Sequence, residues 1–318
     1  MAILDVCNGD ADGLFALRQL RLAEPCVSTL VTGLKREIAL LERVDAHAGD
    51  TVTVLDVSLA RNRAALLRLL DAGASVRWFD HHDAGEVPAH PRLQVHIDTH
   101  PAICTSLLVD RVLGGRFRAW AVAAAYGDNL AASAERLADA MGLAPERRAA
   151  LQRLGEAVNY NAYGETEADV LIHPAALYRR MEPYDDAFAL ADSPLVRELD
   201  AQRRADLECA RALVPVHSDA RCAAYLLPDA AWSRRVLGTF ANELARSDPR
   251  RAHAVLLARA GGGYAASVRA PLATPYGADA LAREFGGNGR PAAAGIDRLD
   301  APDLERFLAR LAGARWMR

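Results

Sequence analysis

Four places in this 318-residue sequence carry side chains able to hold a divalent cation. The first is Cys7-Asn8-Gly9-Asp10-Ala11-Asp12-Gly13, a turn with two aspartates one residue apart and a glycine on either side. Carboxylates so spaced can reach different ions from one turn, and the glycines let the backbone bend closely around them. The second is Asp56, directly after the apolar run Thr51-Val52-Thr53-Val54-Leu55. An acid there is also an ordinary N-cap for a following helix, a task Ser58 can share. The third is Asp80-His81-His82, with imidazole nitrogens beside a carboxylate, and the fourth is Asp128, after the small-residue stretch 121–125. Adjacent imidazoles beside a carboxylate offer nitrogens to a divalent transition metal. Singly, each has a plain explanation as a solvated turn or a cap. Four acid-bearing element ends in this order do not.

The elements that must position them read as α/β. Apolar strands are expected over residues 2–7, 26–32, 51–56, 75–79 and 93–97, with helical stretches at 14–23 and 60–72 between them. Strands separated by helices imply a parallel sheet covered on both faces, with ligands collecting at the carboxyl ends of the strands. Residues 101–190 read as almost wholly helical, and 195–213 as one charged amphipathic helix. Beyond it the pattern resets to a smaller α/β domain. Its strands are expected at 220–227, 254–258 and 264–270, and its helices at 233–245, 278–285 and 302–312, with a glycine-rich turn before the last. The expected domains are 1–194, a linker helix 195–213, and 214–318.

Composition bounds the function. Hydrophobic residues make up 51% and charged residues 25%, which excludes a disordered chain. No apolar run approaches the ~18 residues needed to span a bilayer. Asp5, Asp10 and Asp12 so near the start exclude a secretory or basic transit segment. Five scattered cysteines without paired spacing fit reduced thiols in the cytoplasm. A net charge of −3 argues against a protein that grips long nucleic acid. Residues 206–318 carry 16 Arg against 12 Asp and Glu, so an acidic front precedes a mildly basic back. That division fits a metal-binding half and an anion-holding half, and equally two ordinary solvated surfaces. Lys35 is the only lysine.

The order of the four motifs resembles the DHH phosphoesterase superfamily over residues 1–130. The resemblance continues at Phe285-Gly286-Gly287-Asn288-Gly289-Arg290-Pro291-Ala292-Ala293-Ala294-Gly295, which looks like the glycine-rich loop of the DHH-associated C-terminal domain. Ser267-Val268-Arg269 matches the Ser-x-Arg that accompanies that loop. The resemblance implies two divalent ions, most often Mn(II), bridged by Asp56. It assigns Asp12, His81 and Asp128 to one ion, Asp10 to the other, and His82 to the scissile phosphate. Arg269, Gly286, Gly287 and Asn288 would bind substrate, since glycine amides approach an anion closely and an arginine neutralises it. Two positions depart from the pattern. Asn8 stands where relatives have His or Asp, as a neutral candidate ligand, and Asn288 stands where many have histidine.

These readings lead to a two-metal, Mn-dependent phosphodiesterase acting on oligoribonucleotides or on linear or cyclic dinucleotides. A RecJ-like single-strand exonuclease and a 3′-phosphoadenosine-type phosphatase are the alternatives within the class, and a non-catalytic nucleotide-binding protein is the alternative outside it. No membrane or long duplex is expected as partner, and a homodimer is left open. Three further groups have two readings each. His96 and His100 flank Asp98 as outer supports of the metal site or as surface residues. Cys104-Thr105-Ser106 opens a helix as a phosphate site or a cap. Tyr160, Tyr163, Tyr178 and Tyr184 offer base-stacking faces or core packing.

Overall fold

Runs of β-branched and apolar residues bounded by acids become the strands of the first sheet. The computed structural model describes residues 1–317, and its first unit, Met1–Ala201, begins with β1 (Ile3–Asn8), α1 (Ala11–Ala23), β2 (Thr29–Gly33) and β3 (Thr51–Leu55). It continues through α2 (Leu59–Asp71), β4 (Ser75–Asp80) and β5 (Leu93–Ile97), and then the helices α3 (Thr105–Val112), α4 (Arg118–Gly127), α5 (Ala131–Ala140), α6 (Pro145–Asn161), α7 (Pro174–Met181) and α8 (Ala187–Ala191). The five strands are all parallel, in the order β2-β1-β3-β4-β5. The two faces are read off alternate residues. Val6, Val54 and Trp78 pack with α2 through Leu59, Leu66, Leu69 and Leu70, while Cys7, Leu55 and Phe79 pack with α1, α3 and α4. The chain runs from β1 to β2 on one side and then to β3 on the other. Strand order therefore reverses at β1/β3, which opens a crevice beyond the carboxyl ends of those strands.

The helix expected over 195–213 is α9 (Pro194–Arg211), and the division between the two units falls inside it. The second unit, Gln202–Arg318, holds β6 (His217–Ser218), β7 (Cys222–Leu227), α10 (Ala231–Ser247), β8 (Ala252–Ala258) and β9 (Tyr264–Arg269). It ends with α11 (Ala278–Arg283), β10 (Asn288–Arg290), β11 (Ala293–Leu299) and α12 (Leu304–Gly313). Its sheet has the order β10-β11-β9-β8-β7-β6 and is antiparallel except where β7 meets β8. Leu256, Val268, Ile296, Phe285 and Phe307 form its core. The glycine-rich segment is a correction to the sequence reading: it is a hairpin, and β11 is an interior strand. A register shift between Ile296 and Leu299 breaks the two-residue alternation that would have marked it as one.

Candidate metal centre and active site

The carboxyl ends of β1, β3 and β4 deliver the first three motifs to one place. Asp10 caps α1, its Oδ1 accepting the N–H groups of Asp12 (3.0 Å) and Gly13 (3.1 Å). A Cβ on Gly13 would lie 2.2 Å from the Asn8 carbonyl oxygen, so this turn requires glycine. Asp12 is buried in the first turn of α1 and is held from across the unit. Its two oxygens accept the N–H groups of Thr105 and Ser106, each at 2.7 Å, at the N-terminus of α3. The helix start that sequence reading offered to a phosphate is thus occupied by a protein carboxylate, with the helix dipole favouring its charge. Cys104 beside it is buried, and burial pushes its thiol well above the ordinary value, which favours the protonated form.

Asp56 follows β3 with φ of +58°, a left-handed conformation that aspartate tolerates better than most residues. Its Oδ1 accepts the Thr105 hydroxyl at 3.2 Å and lies 3.4 Å from His81 Nε2. In the third motif the aspartate is the support and the histidines are the working groups. The Asp80 Oδ1 accepts the His81 N–H (2.8 Å) and pairs with His82 Nδ1 (2.7 Å). His81 Nδ1 lies 2.9 Å from the Ile103 carbonyl. Donating there turns Nε2 toward the carboxylates, and once Nε2 gives up its proton to an ion this is the usual arrangement of a metal-ligating histidine. His82 is half-exposed. Asp128 is the C-cap of α4.

Asp12, His81 and Asp128 each offer a ligand atom within 4.8 Å of the others, and so do Asp56, His81 and His82. His81 Nε2 stands 4.0 Å from Asp12 Oδ2. Burial, reinforced by Asp10 and Asp12, pushes Asp56 well above the usual carboxylate range. Burial also pushes Asp128 up to about 6, with Lys35 opposing and Asp12 adding to the shift. Burial works against charge on His81, yet its hydrogen bond to Asp56 and the nearby Asp12 carboxylate push it up to about 10. Buried carboxylates that repel one another around an imidazole are a cation site in their chemistry. His81 belongs to both triplets, so an ion held on its Nε2 has Asp12, Asp128 and Asp56 to draw on.

The donor set for a second ion does not fit as well. Asn8 carries no charge, and its buried Oδ1 accepts no hydrogen bond among the described residues. Asp10, assigned by sequence resemblance to that ion, is paired with Lys35, whose Nζ lies 2.6 Å from Oδ2 and 3.9 Å from Asp128 Oδ1. Burial raises the Asp10 carboxyl, but Lys35 and the Gly13 N–H hold it below the usual range. Sequence reading passed over Lys35 as a functional residue; its one signal was being the sole lysine.

In the second unit, Arg269 at the end of β9 donates from Nε to Asn242 Oδ1 (2.6 Å) and from Nη1 to Ser267 Oγ (2.9 Å). Asn242, on α10, was absent from the sequence reading. Gly287 lies tight against β11, where a Cβ would come within 2.3 Å of the Gly295 oxygen, and Gly286 has φ of +74°. Asn288 is exposed, its Oδ1 accepting the Gly289 N–H. His217, Asp219 and Cys222 also lie together, but Asp219 Oδ1 closes the β6–β7 turn by accepting two N–H groups, and burial pushes the Cys222 thiol up to about 11.

No family model matches the sequence, and no curated protein matches it either. Solved structures do. An exonuclease RecJ bound to manganese superposes with a TM-score of 0.61 at 21% identity, over 98% of this chain and 89% of that one. RecJ of Thermus thermophilus with Mn2+ gives 0.59 at 21%, and this chain spans 51% of its length. The pGpG-specific phosphodiesterase PggH of Vibrio cholerae gives 0.57 at 13%, over 98% of this chain and 99% of that one. The chain has the RecJ-like DHH fold.

On this DHH fold the remaining residues singled out from sequence find other tasks. His96 stacks on Phe79 with centroids 4.5 Å apart, and Asp98 pairs with Arg111 and the His100 N–H. Tyr160 and Tyr178 are buried and offer no face to a base. Tyr163 instead lies under the Lys35 ammonium, 5.4 Å from its ring centre. No helix of the DHH fold here, among the described residues, is long and apolar enough to cross a membrane.

Proposed function

We propose that this chain is a divalent-metal-dependent phosphodiesterase that hydrolyses short nucleotides, linear dinucleotides first among them, with Mn(II) as the working ion. The observation that carries the reading is that two donor triplets, Asp12-His81-Asp128 and Asp56-His81-His82, meet at His81 beside the β1/β3 switch point. Asp12, Asp56, His81 and Asp128 would hold the ion. When bound, such an ion acidifies a water and polarises a phosphoryl oxygen. His82, anchored through Nδ1 to Asp80, has Nε2 left to meet a substrate oxygen and give a proton to the leaving group. Arg269, set by Asn242 and Ser267, is proposed to neutralise a substrate phosphate, with the Gly286, Gly287 and Asn288 backbone beside it. Net charge −3 supports a short substrate, because a long strand calls for an extended basic track. The fold is shared with manganese-bound RecJ and with a pGpG-specific phosphodiesterase, and both support phosphodiester chemistry here. Free thiols at all five cysteines fit a reducing cytoplasm.

The test is a Mn2+ assay over a linear dinucleotide, a cyclic dinucleotide, a 3′,5′-bisphosphate and a long single-stranded DNA. The proposal expects the linear dinucleotide to have the highest kcat/KM. A long strand preferred over it would make the chain RecJ-like, and a preferred bisphosphate would make it a phosphatase. Tight binding of any of them without turnover would make it a non-catalytic nucleotide-binding protein.

A further inference from the structure

We propose that the Lys35 ammonium is a built-in second cation of this site, lying between Asp10 and Asp128, so that the chain holds one divalent ion where the two-ion arrangement holds two. The inference rests on the metal-dependent reading above and changes its stoichiometry.

The Asp10 carboxylate leaves no room for an ion. It is 2% exposed, its Oδ1 accepts two backbone N–H groups, and its Oδ2 contacts Lys35 Nζ at 2.6 Å. A hard divalent ion sits roughly 2.0–2.2 Å from a carboxylate oxygen. An ion on Oδ2 would stand roughly 4 Å from the ammonium, and two cations that close in a buried site repel strongly. Lys35 is also placed by contacts other than Asp10. Its backbone N–H donates to the Ala162 carbonyl, its ammonium lies over the Tyr163 ring, and the preceding Leu34 N–H is fixed by Glu37 Oε2 at 2.7 Å.

Charge balance points the same way. An amide at position 8 carries one negative charge fewer than a carboxylate there. An ammonium carries one positive charge fewer than a divalent ion. Asn8 and Lys35 together thus leave the net charge of the site where a carboxylate and a second ion would put it. The residue type matters as well. Of 38 basic residues Lys35 alone is lysine, and an ammonium is a compact point charge, closer in shape to a metal ion than the planar guanidinium fork.

The experiment counts Mn2+ on purified wild-type protein and on the Asn8→Asp/Lys35→Met double variant, by titration calorimetry and by electron paramagnetic resonance. Two Mn(II) ions in one site, roughly 3.5–4 Å apart, couple magnetically, whereas a single ion gives an isolated six-line spectrum. The proposal expects one equivalent and the six-line spectrum for wild type, and two equivalents with a coupled spectrum for the double variant. Two coupled ions in wild type would overturn it without using any variant. A folded double variant that still takes one ion would also overturn it. Wild type that takes up no Mn2+ would instead defeat the metal-dependent reading itself.

Discussion

Replacing Asp56 separates the demands of folding from those of chemistry, because its carboxylate works against the metal-free fold that positions it. Its backbone is left-handed, with φ of +58°, and its side chain is buried beside Asp10 and Asp12. Asn suits the left-handed region nearly as well as Asp, whereas Ala there costs about 1–2 kcal/mol. For a unit of this size each kcal/mol moves the melting temperature by about 2–4 °C. Asp56→Ala should therefore melt about 2–8 °C below Asp56→Asn when both are metal-free. Asn also retains the oxygen that accepts the Thr105 hydroxyl but carries no charge for Asp10 and Asp12 to repel. The sign follows from linkage. Asp56 binds its proton more tightly in the metal-free fold than at its ordinary value of 3.8, so the folded state holds the extra proton and wild-type stability falls as pH rises through that window. Asp128 adds the same slope between 3.8 and about 6. Asp56→Asn should thus be at least as stable as wild type in EDTA at neutral pH, by a margin that shrinks toward pH ~4, and both variants should lose hydrolysis. Calorimetric melting in EDTA across that pH range is the assay. Wild type melting above Asp56→Asn at neutral pH, or Ala melting level with Asn, would refute the reasoning.

Mn2+ binding near neutral pH should release at least one proton per ion, since His81 must give up a proton it holds in the metal-free site; calorimetry in buffers of different ionisation enthalpy reads the number, and zero would count against His81 as a ligand. Asp80→Ala removes the acceptor of both the His82 ring and the His81 N–H, and should lower kcat by about 10- to 100-fold and raise the dose of Mn2+ for half-maximal rate; a kinetically normal variant would count against Asp80 as the support of the two histidines. Arg269→Ala should raise KM more than it lowers kcat, by about 1.5–3 kcal/mol in kcat/KM; a fall in kcat alone would move Arg269 to the reacting centre.

What the sequence made legible was the material in continuous stretches. The apolar runs ending in Asn8, Asp56 and Asp80 announce parallel strands with polar carboxyl ends, and the strands are found there. β2 begins later than expected, at Thr29, because as an edge strand it has a weaker buried pattern to read. The supports of the site were not legible, because each is made by chain far away in sequence. Asp12 is held by amides 93 and 94 residues on, and Asp10 by a lysine 25 residues on in the loop after β2. Neither a backbone N–H nor a loop trajectory has a residue type to betray it. Asp80 read as one member of a ligand triplet, while in the fold it holds the two histidines that follow.

The most direct test of the central claim is the initial rate of linear dinucleotide hydrolysis by metal-stripped protein titrated with Mn2+, run beside His81→Ala. The account predicts no rate in EDTA, full restoration by Mn2+ in wild type, and none in His81→Ala at any Mn2+ concentration. Hydrolysis that survives EDTA, or a His81→Ala protein restored to the wild-type rate, would contradict it.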